Sequence, residues 1–342
     1  MKIDIVYLWV DGADSVWKDK NRKALAMLGR ALPPDSATLN RFQDNDELKY
    51  SLRSLEKFAP WINHIYIITD NQRPAWLADD PFVTIVDHTE IIPKKYLPVF
   101  NASAIELFLH KVPGLSEHFL FANDDTIFGA PAAPDFFFDK DGKPIVIVKG
   151  LVTSSSVFGD DKTYAEYTGK KTLAKTLIRN GVRFAYKKTG RKYNAYLAHG
   201  IEPMRKSALK SLMAEFGDEL IETTCTKFRE VSNVQRIANL LIANARGQNT
   251  MKLNWRVGRR RIPYRHGGSL LAMFWTIAQK LFYKLGIIKY DVYDKERNVT
   301  RDIRKFRPTI FCINDLSEAK NMFLENIDLM NEFFPEKSRF EK

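Results

Sequence analysis

Four short aliphatic runs in the first 125 residues each stop at a polar residue, an aspartate in three of them and Asn123 ahead of two aspartates in the fourth. Ile3–Val10 ends at Asp11-Gly12, Ile65–Thr69 at Asp70, Val83–Val86 at Asp87, and Phe119–Ala122 at Asn123-Asp124-Asp125. Runs this short and this apolar read as strands buried on both faces, the habit of a parallel sheet. Helical spacing fills the intervals. Ser15–Leu32 is closed by Pro33-Pro34, Asp46–Phe58 places Leu48, Leu52, Leu55 and Phe58 on one face, and Ala102–His110 is a third segment. This alternation predicts an α/β, Rossmann-like fold: a mostly parallel sheet flanked by helices, its acidic strand ends gathered along one edge. In open α/β sheets that edge is where ligands bind. No G-x-G-x-x-G follows the first strand, so the dinucleotide fingerprint is absent.

Charge divides the chain. It has 342 residues, with 53 Lys+Arg against 41 Asp+Glu, a net of +12. Residues 1–150 hold 17 basic and 21 acidic side chains, a net of −4; residues 151–342 hold 36 and 20, a net of +16. A basic half joined to a mildly acidic one points to a polyanion, an anionic substrate or an anionic membrane as partner. The apolar fraction of 45% excludes a disordered or fibrous chain. The basic half reads as a more helical elaboration, with segments at 164–180, 205–216, 231–245 and 316–334. Between them, Arg256 and Arg259–Arg261 precede Ser269–Ile288, where Leu270, Phe274, Ile277, Leu281 and Leu285 share a face. That segment either lies on an anionic membrane surface or packs into the core beside a solvated basic loop. Two cysteines, Cys225 and Cys312, are too few for a disulfide framework and fit a reducing cytoplasm. Met1–Val10 has no signal-peptide core, and no apolar window is long enough to span a bilayer. The expected location is therefore cytoplasmic.

Asn123-Asp124-Asp125 is the most informative local feature. Two adjacent carboxylates beside a carboxamide suit Mg²⁺ or Mn²⁺ bridging nucleotide phosphates; the same residues also make an ordinary turn. Arg41 through Ser54 is dense in charge. Asp44 or Asn45 is a candidate helix cap and Glu47 sits in the first turn, while Arg41, Lys49 and Arg53 either present donors to a phosphate or sugar or pair with neighbouring acids. His199 is either a hydrogen-bonded structural histidine or a general base, and Arg229 either neutralises a phosphoryl group or makes a helix-start ion pair.

Four separated blocks are similar to the Stealth family, the hexose-1-phosphate transferases of capsule and exopolysaccharide synthesis, which includes the catalytic part of the lysosomal-enzyme N-acetylglucosamine-1-phosphotransferase. The first runs from Ile3 through Trp9-Val10-Asp11-Gly12-Ala13-Asp14. The second and longest carries Arg41-Phe42, D-N-D-E-L-K-Y-S-L-R-S at Asp44–Ser54, I-Y-I-I-T-D at Ile65–Asp70, I-V-D-H at Ile85–His88 and N-D-D at Asn123–Asp125. The third contains Ala198-His199, then Phe228-Arg229 with Gln235. The fourth is Phe311-Cys312-Ile313-Asn314-Asp315 with its following helix.

The resemblance implies a single catalytic domain over 1–342, its 1–150 half holding nucleotide-sugar and metal and its 151–342 half completing the site. It implies that a sugar hydroxyl attacks a UDP-sugar, sugar-1-phosphate is transferred with a phosphodiester formed, and UMP leaves. By position, His199 matches the base, Asp124 and Asp125 the essential carboxylates and metal ligands, and Arg229 a phosphate-stabilising arginine. Asn314 and Asp315 match the last polar motif. Asp11, Gly12, Arg41 and Arg53 are expected at the donor site, with Asp44, Glu47, Lys49 and Asn123 beside them. Mg²⁺ or Mn²⁺ is the expected cofactor, an oligosaccharide or polysaccharide the acceptor, and the anionic inner membrane a possible surface. The competing chemistry is a metal-dependent glycosyltransferase that transfers the sugar itself and releases UDP. A nucleic-acid partner leaves the acidic strand ends without a purpose. The chain departs from the family pattern at Pro203, which falls late after His199, and at Glu230 and Asn233, where a histidine and an acidic residue are common.

Overall fold

The computed structural model describes residues 1–32, 36, 39–149, 173–193, 196–257, 260–263, 288–293, 299–313 and 320–342. Asn314, Asp315, Arg259 and residues 269–287 of the amphipathic segment lie outside them.

The expected parallel strands form. β1 (Ile3–Leu8), β2 (Ile65–Thr69), β3 (Val83–Asp87) and β4 (His118–Asn123) pair in the order β3-β2-β1-β4, every neighbour parallel. Alternation along β1 sends Ile5 and Tyr7 to one face, where they pack with Leu48, Leu52 and Leu55 of α1b, the helix Glu47–Phe58. Val6 goes to the other face, against Ile68, Phe119, Phe121 and Ile105. Both faces are thus apolar and covered, which is why these strands read as continuous hydrophobic runs. On α1b, Ser51 Oγ donates to the Thr126 carbonyl at 2.7 Å and Ser54 Oγ accepts from the Phe128 N–H at 3.0 Å. The helix therefore clamps the turn that follows β4, where Asp124 and Asp125 stand.

The basic half is not only helical. It supplies β8 (Glu202–Arg205), which joins the main sheet antiparallel to β4 with Phe121 opposite Glu202. Because β8 runs backwards along β4, the residues just before it arrive at the carboxyl end of β4. His199 is carried there. A second sheet contains β6 (Ile145–Lys149) parallel to β9 (Thr250–Val257), and a third sets β13 (Ile310–Cys312) antiparallel to β5 (Thr126–Phe128), with Cys312 opposite Thr126.

Helix ends shift from their expected places for local reasons. The first helix spans Ser15–Leu28 and stops at Gly29, whose φ of 65° closes it before the prolines. A helix expected to end at Asn180 runs Leu173–Thr189 straight through Gly181. There a Cβ would lie 2.4 Å from Ile237, so the glycine marks a close approach to the helix Ile237–Ala245 rather than a break. The helix expected over 205–216 spans Lys206–Thr224, and the one over 316–334 is described as Lys320–Phe333. Ala102–His110 divides into Ala102–Glu106 and a short 3-10 turn, Leu109–Lys111.

Candidate active site

A cleft of about 360 Å³ opens along the carboxyl edge of the main sheet. Of the residues expected there, Arg41, Glu47, Asn123, Asp124, Asp125, His199 and Arg229 line it. The sheet supplies the acids, the β8 approach supplies His199, and the Phe228-Arg229 loop supplies Arg229.

Asp125 is the meeting point. Its Oδ2 lies 3.9 Å from His199 Nε2 and accepts a hydrogen bond from the Cys312 thiol at 3.2 Å. Burial opposes its charge, but His199 and Cys312 outweigh that and hold the carboxyl below its usual range. Its Oδ1 is buried with no hydrogen-bond partner. Asn123 Nδ2 stands 3.4 Å from His199 Nε2. Asp124 accepts from the Asp125 N–H at 3.0 Å, and burial, reinforced by the charges of Asp125, Glu47 and Asp44, drives its carboxyl well above the ordinary value. Burial likewise pushes Glu47 up to about 7 and Asp44 up to about 6. Asp124, Glu47 and Asp44 thus oppose one another's ionisation beside the charged Asp125. Such a cluster of hard oxygen donors fits a divalent cation.

Arg229 and Arg41 line the same cleft, near enough for their charges to repel. Burial first, and then the Arg41 charge, lower the Arg229 guanidinium to about 9. Two arginines lining one cleft make a place for an anion. Beneath them lies a buried ion network: Arg236 donates to both oxygens of Glu202 at 2.7 Å and to Glu106 at 3.2 Å. The loop carrying Arg229 is hung on Asn233, which is fully buried. Asn233 Oδ1 accepts from Asn101 at 2.8 Å and from the Glu230 N–H at 2.9 Å, while its Nδ2 donates to the Thr223 carbonyl at 2.9 Å. Phe228 stacks on Phe100 at 5.1 Å, and Glu230 pairs outward with Arg30. The two departures from the family pattern therefore hold the loop rather than enter the cleft.

Several expected donor-site residues do other work. Arg53 forms a double hydrogen bond with Glu341, at 2.7 and 2.6 Å, and donates to the Phe334 carbonyl, so it fastens the carboxyl terminus to α1b away from the cleft. Lys49 pairs with Asp46 at 2.5 Å. Asp46, with φ 65°, takes the helix N-cap position expected of Asp44 or Asn45, and makes no side-chain cap bond; the Asn45 N–H turns instead to Glu47 at 2.6 Å. Asp11 holds a local turn through the Ala13 N–H and exchanges hydrogen bonds with Gln72. Gly12 donates to the Phe42 carbonyl at 2.6 Å, and its hydrogen leaves room for that approach. None of Arg53, Lys49, Asp11, Gly12 and Asp44 lines the cleft; Asp44 acts on it through its charge.

Sequence reasoning quoted His88 only within a motif; it is a cleft residue whose buried ring is held below the usual histidine range by desolvation, opposed by Asp70. The same reasoning missed Glu106, Glu202, Arg236 and Cys312. The first three are single charges in otherwise unremarkable segments, and Cys312 was quoted only as part of a motif.

An α/β sheet whose strand-end cleft is lined by carboxylates, a histidine and two arginines defines a site chemically suited to a charged ligand. The Stealth protein CR1 region (conserved region 1) matches residues 1–29 and the Stealth protein CR2 region (conserved region 2) matches residues 41–146. The chain is 31% identical over 327 residues to a capsular polysaccharide phosphotransferase of Haemophilus influenzae, covering 94% of this chain and 80% of that one. It is 37% identical over 235 residues to the capsular polysaccharide phosphotransferase LcbA of Neisseria meningitidis, covering 67% of this chain and 60% of the relative. A capsular polysaccharide phosphotransferase of Actinobacillus pleuropneumoniae is 33% identical over 244 residues, 70% of this chain and 64% of that one. The chain thus spans less than two thirds of the length of these last two relatives. It belongs to the Stealth family.

Proposed function

We propose that the chain is a sugar-1-phosphate transferase of capsule or exopolysaccharide synthesis. It takes hexose-1-phosphate or N-acetylhexosamine-1-phosphate from a UDP-sugar, joins it to a saccharide hydroxyl as a phosphodiester, and releases UMP. The observation that carries this reading is that Asp125, His199, Arg229 and Arg41 line one cleft, in a chain whose relatives are named capsular polysaccharide phosphotransferases.

The chemistry follows from the placement. Displacement at phosphorus needs a proton acceptor for the attacking hydroxyl and positive charge for the phosphoryl oxygens. His199 Nε2 takes the proton, and ionised Asp125 stabilises the imidazolium that results. Arg229 and Arg41 hold the phosphoryl oxygens, and the charge of buried Glu106 favours the Arg229 cation. Asp124 and Asp125 would hold a Mg²⁺ or Mn²⁺ ion, which would supply charge to offset the departing nucleotide phosphate. Both halves contribute to this one cleft, in support of a single catalytic unit over 1–342. The net of +16 in the second half supports contact with an anionic polymer and with the anionic inner face of the cell membrane. Among the described residues no helix is long and apolar enough to cross a membrane.

The test is UMP release from a panel of UDP-sugars with capsule-type oligosaccharide acceptors. Asp125→Ala and His199→Ala each lose at least about a hundredfold in turnover with the fold intact by circular dichroism. Near-normal turnover in either folded variant removes that residue from the mechanism.

A further inference from the structure

Three different metal-binding side chains converge beside the cleft. Asp125, His199 and Cys312 each offer one ligand atom, and these atoms all lie within 4.8 Å of one another. Cys312 Sγ is 3.2 Å from Asp125 Oδ2, which is 3.9 Å from His199 Nε2. In a tetrahedral zinc site, bonds of about 2.0 Å to nitrogen and about 2.3 Å to sulfur set neighbouring ligand atoms roughly 3.3–3.6 Å apart. The cluster needs side-chain adjustments of only about 1 Å to reach that spacing. The topology also explains its existence: β4 brings Asp125, the approach to β8 brings His199, and β13 brings Cys312 opposite Thr126. The backbone is locked as well, since the Ile313 N–H donates to the Asp125 carbonyl at 3.0 Å. The other oxygen of this carboxylate, Asp125 Oδ1, is buried without a hydrogen-bond partner.

We propose that Asp125, His199 and Cys312 form a site for a thiophilic divalent cation of the Zn²⁺ class, and that filling it blocks acid–base work at His199. A thiolate, an imidazole and a carboxylate together select Zn²⁺ over the oxygen-preferring Mg²⁺. On binding, the Cys312 thiol loses its proton to solvent, a sulfur–metal bond forms, and the hydrogen bond to Asp125 is replaced by coordination. The lone pair of His199 Nε2 goes to the metal and can no longer accept a hydroxyl proton. The site itself rests on geometry alone, while the block on turnover rests on the proposed transferase activity.

The test titrates the metal-free protein with Co²⁺, a spectroscopic substitute for Zn²⁺, and then with Zn²⁺. One equivalent of Co²⁺ should give a thiolate-to-cobalt charge-transfer band that Zn²⁺ abolishes. Cys312→Ser should lose the band and weaken Zn²⁺ binding at least tenfold, whereas Cys225→Ser, altering the other cysteine, should keep both. No band in folded protein, or a band lost in Cys225→Ser and kept in Cys312→Ser, overturns the site. In the turnover assay, Zn²⁺ should inhibit UMP release at concentrations that fill the site, and a chelator should restore it. Zn²⁺ that binds without inhibiting overturns the blocking role. A protein that shows the band but releases no UMP from any donor leaves the site standing and refutes the transferase reading instead.

Discussion

Asn233→Ala tests whether the loop that carries Arg229 is placed by one buried amide. Asn233 is fully buried and bonds in four directions: it accepts from Asn101 Nδ2 at 2.8 Å and the Glu230 N–H at 2.9 Å, and donates to the Thr223 carbonyl at 2.9 Å and Thr226 Oγ1 at 3.1 Å. Asn101 keeps a second acceptor in the Thr224 carbonyl at 3.0 Å, so it is not stranded. The Glu230 N–H and Thr223 carbonyl lose this partner. With net values of about 1 kcal/mol per lost bond, and more where a buried group is left unpaired, the variant should lose about 3 kcal/mol. That is a large part of the margin of an ordinary domain. Urea unfolding measures the loss as a lower midpoint at unchanged slope. Below the unfolding range, UMP release should also fall, because Arg229 lies four residues away on the same loop. Asn233→Asp, which keeps the acceptor oxygens but not the amide donor, should fall between wild type and alanine. A loss below about 1 kcal/mol refutes the network reading. A full stability loss with wild-type turnover refutes the claim that the network serves Arg229.

Three further outcomes follow from the geometry. Burial raises Glu47 from 4.5 to about 7, so the folded state binds the extra proton and stability falls as pH rises through that window; Glu47→Gln should flatten this fall and raise the urea midpoint at neutral pH. Glu341→Gln breaks the pair with Arg53, both nearly buried at 4% and 10% side-chain exposure, and should cost about 3 kcal/mol in urea unfolding while the folded enzyme keeps its KM for the donor. Gly12→Ala places a Cβ 2.4 Å from the Phe42 carbonyl oxygen, so the segment next to Arg41 must move; thermal unfolding should show a loss of about 1–3 kcal/mol, and donor KM should rise.

The parallel core was legible because a strand buried on both faces leaves a run of aliphatic residues, as at Ile65–Thr69. Asn123-Asp124-Asp125 was legible for the same reason: polar residues directly after such a run must fall at the sheet edge. β8 was not. Its sequence, Glu-Pro-Met-Arg, reads as a loop, since proline is confined to sheet edges and the charge of Glu202 disguises its burial. Only the Arg236 partnership, 34 residues on, makes Glu202 acceptable inside, and no local pattern announces it. Arg53 shows the opposite error. It lies in the most distinctive motif of the chain, yet its partner is Glu341, at the far end of the sequence. Motif membership identified a neighbourhood, while the pairings that sort cleft residues from structural ones depend on contacts as far apart in sequence as Arg53 and Glu341.

The identity of the leaving nucleotide tests the central claim most directly. Purified protein, incubated with a UDP-sugar and a capsule-type oligosaccharide in the presence of Mg²⁺, should release UMP in step with a product carrying a new phosphodiester, seen by phosphorus NMR. UDP release with no phosphorus in the product would contradict the account and assign the cleft to sugar transfer instead.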